Sequence, residues 1–141
     1  MPRWFIKFGG GAEVVDDLVG LSPSNHGTTI TGSGGSSSGF CTACGQQAAG
    51  SPFLTTLNAD DETPGEVSYT QITTRYDEVV VPYTSAYLAP GRRTTNLTVQ
   101  DLCPGDANEH VLIPTDPVAI QLVLNALGRR GPADPAFRPA C

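Results

Sequence analysis

Two residues carry the strongest chemical signal in this 141-residue sequence. Asp77 directly follows the β-branched and aromatic run 67–76, and His110 lies in the loop after a second run, 96–102. A carboxylate beside an imidazole orients a general base: it selects the ring tautomer and stabilises the imidazolium that forms when a proton is taken up. Open parallel sheets gather their reactive groups at the carboxyl ends of strands. The plain alternative is that a lone Asp and a lone His on loops are common and carry no chemistry.

The elements that would position this pair follow from local pattern. Residues 2–8 predict a short helix, with Pro2 in the first turn, Trp4, Phe5 and Phe8 at helical spacing, and Gly9-Gly10-Gly11 as the stop. Leu18-Val19-Gly20-Leu21 predicts a buried strand ended by Ser22-Pro23. Ser51-Pro52 predicts a helix start, a cap followed by a first-turn proline. Strands are expected over 67–76 and 96–102. Asp116-Pro117 opens a further helix, closed by Gly128, with Val118, Ile120, Leu122, Val123, Leu124 and Leu127 as its apolar face. The order of helix, strand, helical insertion, two strands and helix fits an α/β sheet covered by helices.

Composition narrows the function. Hydrophobic residues make up 39% and charged residues 16%, which suits one globular domain. A net charge of −6, with Arg92-Arg93 and Arg129-Arg130 as the nearest thing to basic clusters, argues against a nucleic-acid partner. No apolar run approaches the roughly 20 residues that a membrane helix needs, and no metal or other cofactor is expected. No signal peptide follows Met1, yet four cysteines and a single lysine suit an oxidising compartment. Secretion, with the signal lying upstream of Met1, reconciles the two.

Tyr76-Asp77-Glu78-Val79-Val80-Val81-Pro82 resembles the acid segment of actinobacterial secreted lipases and of the fungal lipase B type. Asn108-Glu109-His110 resembles their base segment. Met1-Pro2-Arg3-Trp4 is similar to the helix after their nucleophile elbow G-H-S-x-G-G, and the stretch from Val15 to Thr28 to the next strand and loop. The resemblance runs through essentially the whole chain. It implies the C-terminal half of an α/β-hydrolase, about three parallel strands with flanking helices, carrying triad Asp77 and His110 but lacking the nucleophile serine and the oxyanion donors, which would lie just before Met1. Residues 1–141 are then one partial domain, with a flexible lid-like insertion at 29–62 and a tethered tail at 128–141. Ser22 is a poor substitute nucleophile, because Pro23 obstructs a strand-to-helix elbow. His26, Phe40, Phe53 and Leu54 are candidates for lining an acyl site, set against ordinary loop and core roles.

Cys41-Thr42-Ala43-Cys44 admits three readings: a redox pair, half of a zinc site, or a local disulfide. A Gly/Ser run precedes it where a redox motif wants a strand, and Cys103 and Cys141 are not spaced as a second zinc knuckle. Two structural disulfides, Cys41–Cys44 and Cys103–Cys141, fit better, and the second pairing is similar to the lipase B pattern.

The leading expectation is therefore a lipase or esterase portion, inactive alone, whose full-length relatives act on esters and lipids. Other readings are half of a split hydrolase pairing with an N-terminal half, a secreted non-catalytic lipid-binding module, or a cysteine-based redox or zinc protein. The exposed sheet edge suggests marginal stability and self-association.

Overall fold

The computed structural model describes residues 2–30 and 41–141. Among them, three strands form one parallel sheet in the order β1 (Asp17–Leu21), β2 (Ser68–Thr73), β3 (Thr94–Thr98). Asp17 pairs with Ser68 through to Leu21 with Ile72, and Tyr69 with Thr94 through to Thr73 with Thr98. The helices are α1 (Pro2–Phe8), α2 (Thr42–Gln46), α3 (Pro52–Asn58), α4 (Val99–Leu102) and α5 (Pro117–Leu127).

Alternation along the strands divides the core between two layers. Leu18 and Tyr69 face the α1 side with Ile6, Val67 and Leu88. Val19, Leu21, Ile72 and Leu97 face the α5 side. Helices on both faces leave every residue of β2 buried, including Thr70, Gln71 and Thr73. Buried polar groups require partners. Asn25 Nδ2 donates to Gln71 Oε1 at 3.1 Å, and the Ala133 amide donates to Thr70 Oγ1 at 2.9 Å.

Three helix starts follow the local signals. α1 occupies 2–8 as expected. Ser51 caps α3, its hydroxyl accepting from the Leu54 amide at 3.2 Å. Asp116 caps α5 by accepting from the Val118 amide at 2.9 Å.

The face that α5 buries matches the expected one at Val118 and Leu122 but not at Ile120, Leu124 and Leu127. Val118, Ala119, Leu122 and Ala126 are buried, whereas Ile120, Leu124 and Leu127 are 42%, 63% and 57% exposed. Positions 118, 119, 122 and 126 share one side of a 3.6-residue helix, and 120, 124 and 127 share the other. Alanine at 119 and 126 lets the helix approach the sheet.

Both long strands stop early. β2 ends at Thr73 because side chains take the next amides: Arg75 N donates to Gln100 Oε1 at 2.8 Å, and Tyr76 N to Thr74 Oγ1 at 3.2 Å. β3 ends at Thr98, and residues 99–102, expected as strand, form the helical turn α4, in which Cys103 N donates to Val99 O at 2.8 Å.

The disulfides are Cys41–Cys44 and Cys103–Cys141, the two pairings expected. The tail at 128–141 is packed as well as tethered. Ala133 is buried, Phe137 lies on the α5-side core, and Gln121 exchanges two hydrogen bonds with Ala140 at 3.1 and 2.8 Å.

Candidate active site

Four residues after β2, the chain turns so that the Asp77 side chain is completely buried. Its Oδ1 accepts from the amides of Val79 at 3.0 Å and Val80 at 2.7 Å. These two donors fix the plane of the carboxylate before any partner arrives. His110 Nδ1 lies 2.9 Å from Oδ1 and 3.0 Å from Oδ2 of Asp77. The imidazole is 27% exposed, so its far edge reaches the surface. With Nδ1–H donating to the carboxylate, Nε2 is the basic nitrogen. It forms no hydrogen bond among the described residues. The structure thus brings together the two residues singled out as acid and base, 33 positions apart.

No described serine reaches that imidazole. Ser22 is buried, and its hydroxyl lies 3.5 Å from Thr73 Oγ1. Its φ of 44° falls in the left-handed region, an uncommon conformation for a residue with a β-carbon. Ser24 donates to Gln47 Oε1 at 3.3 Å, and Ser51 is occupied as a cap. The pattern G-x-S-x-G does occur at 35–39, inside the Gly/Ser run and outside the described residues.

The other proposed site residues separate. Phe53 and Leu54 line a cavity of about 300 Å³ bounded also by Leu18, Leu57 and Gln71. Phe53 also stacks on Trp4, with ring centroids 4.9 Å apart. Phe40 lies outside the described residues. His26 is not on the cavity wall: its Nε2 pairs with Glu62 Oε1 at 2.8 Å. The start of the 29–62 insertion is anchored to the acid loop, since Thr29 N donates to Val81 O at 2.9 Å and Thr28 Oγ1, just before it, donates to Val79 O at 2.7 Å.

Glu62 is a functional-looking residue with no local signal to select it, because its partners are remote in sequence. Its second oxygen accepts from the Ala89 amide at 2.9 Å, and Arg3 donates to its backbone carbonyl at 3.3 Å. Burial pushes the Glu62 carboxyl up, but the Ala89 amide, the hydrogen bond from His26 and the charges of His26 and Arg3 outweigh it and leave the group below its ordinary value. A carboxyl depressed on folding contributes stability that is present above the unfolded value, about 4.3, and is lost as pH falls through the folded one. Thermal melts between neutral pH and pH 4 should therefore show a steeper loss of Tm in the parent than in Glu62→Gln. Parallel curves would contradict this.

By contrast, burial raises the Asp116 carboxyl despite the Val118 amide, and the charge of Asp106 adds to the effect.

A parallel sheet between two helical layers, with a carboxylate–imidazole pair on the loops that follow adjacent strands, defines the α/β-hydrolase class. The family model described as Lipase (class 2) matches residues 11–123, which include Asp77 and His110. This chain belongs to that family. Among solved structures it is similar to lipase B of Aspergillus fumigatus, with a TM-score of 0.80 and 26% identity over 95% of this chain and 35% of that one. The chain thus spans about a third of that lipase. Comparison with curated protein sequences gives no match.

Proposed function

We propose that this chain supplies the acid, Asp77, and the general base, His110, of a carboxylic ester hydrolase whose nucleophilic serine lies outside the described residues. The observation that carries this reading is the two-point hydrogen bond between His110 Nδ1 and a fully buried carboxylate, at 2.9 and 3.0 Å, with the ring's far edge at the surface. His110 Nε2 takes the proton of the serine hydroxyl as that oxygen attacks the ester carbonyl. It returns the proton to the departing alcohol, then activates the water that releases the acid. Asp77 stays ionised and stabilises the imidazolium.

The family supports an ester or lipid substrate, and the cavity beside Phe53 and Leu54 supports an acyl chain lying against α3. Secretion suits a chain whose four cysteines are all paired. The G-x-S-x-G letters at 35–39 lack the preceding apolar run that a strand–turn–helix elbow needs. A fluorophosphonate probe tests the placement of the nucleophile: the 141-residue chain alone should remain unlabelled and leave p-nitrophenyl esters intact. Stoichiometric labelling of any serine in this chain would overturn that part of the reading.

A further inference from the structure

Asp77 and His110 sit on separate loops, and their mutual hydrogen bonds hold only if those loops keep a fixed spacing. Apart from those bonds, one hydrogen bond joins the acid turn directly to the base loop among the described residues: Thr74 Oγ1 donates to Asn108 O at 2.7 Å. Thr74 lies three residues before Asp77, and Asn108 two before His110.

The same hydroxyl accepts from Tyr76 N at 3.2 Å and from Gln100 Nε2 at 2.9 Å. Its one proton and both lone pairs are then used. Gln100, in α4, is held at both ends of its amide. Its Oε1 accepts from Arg75 N at 2.8 Å, and Nε2 also donates to Asp106 O at 3.3 Å. Thr74 and Gln100 are 1% and 6% exposed. Asp106 in turn accepts from Asn108 N at 2.9 Å. A buried and fully satisfied polar network of this kind permits one arrangement of its members, because any shift leaves a polar group unpaired.

We propose that Thr74 and Gln100 are positioning residues that set the separation of Asp77 and His110, an inference that rests on reading those two as acid and base. Neither touches the imidazole or the position of an ester. Both act through the backbone of the loops that carry the pair.

The test is proton NMR of this chain, whose only histidines are His26 and His110. The readout is exchange of the His110 Nδ1 proton with water. Asp77→Asn serves as the reference and should abolish protection. Persistence of full protection there would sink the acid–base reading itself, not the bridge. Thr74→Val keeps the shape but removes the hydroxyl, and should speed exchange by about tenfold or more with the amide spectrum still folded. Thr74→Ser restores the hydroxyl and should return exchange to within about twofold of the parent. Gln100→Met should resemble Thr74→Val.

The proposal fails if Thr74→Val and Gln100→Met are folded and exchange at the parent rate, or if Thr74→Ser behaves like Thr74→Val. Global unfolding of both Thr74→Val and Gln100→Met would assign these residues to the fold at large and overturn it as well.

Discussion

Asp77→Asn is expected to lower kcat for p-nitrophenyl ester hydrolysis by about 10⁴-fold in an enzyme that unites this chain with its serine. The amide is nearly isosteric, and its remaining oxygen can still accept from Val79 and Val80, so the loop should persist. What changes is the tautomer. A carboxylate can only accept from Nδ1–H, whereas an amide can present its NH₂ to Nδ1 and move the ring proton to Nε2. An Nε2 that carries a proton cannot take one from serine. The loss should fall on kcat, with KM nearly unchanged, because the substrate does not contact Asp77. A loss below about tenfold would remove Asp77 from the mechanism.

The second large effect concerns the fold. Replacing both Cys103 and Cys141 by Ser opens a cross-link between residues 38 apart, which the chain-entropy model values at about 3–4 kcal/mol. That is a large share of the 5–15 kcal/mol typical of a whole domain. The link holds the tail where Ala133 donates to Thr70 of the central strand, so its loss also loosens the α5 layer. Urea titration should show the midpoint falling by a corresponding amount. The Cys41–Cys44 pair closes a loop of only three residues' separation and should cost less. A shift of under about 1 kcal/mol for the Cys103–Cys141 variant would show that packing of 128–141, not the cross-link, holds the tail.

The legible parts of the structure are those whose cause is local. Pro2, Ser51-Pro52 and Asp116-Pro117 mark helix starts through capping and fixed backbone angles within a turn or two, and α1, α3 and α5 begin there. The strand centres follow from β-branched content, and the acid–base pair from strand-end placement and the matching segments around it. What escaped the sequence depends on distant partners. β2 stops early because Gln100, 25 residues away, takes the Arg75 amide, and β3 because residues 99–102 turn into α4. Two of the buried polar residues of β2, Gln71 and Thr70, find partners in Asn25 and the tail, which are remote in sequence. Only part of the expected face of α5, Val118 and Leu122, is buried, because that helix is apolar on both sides and the small Ala119 and Ala126 distinguish the side that meets the sheet. The Glu62–His26 pair spans 36 positions with no periodic pattern to announce it.

The central claim, that Asp77 and His110 act as one catalytic unit, is tested most directly by a double-mutant cycle on kcat in the ester-hydrolysing enzyme. If Asp77 works only through His110, His110→Ala should cost about as much as the combined His110→Ala, Asp77→Asn variant, because the carboxylate has nothing left to orient. The result that contradicts the account is multiplication of the two single losses, which would mean that the residues act independently and that their 2.9 Å contact has no part in the chemistry.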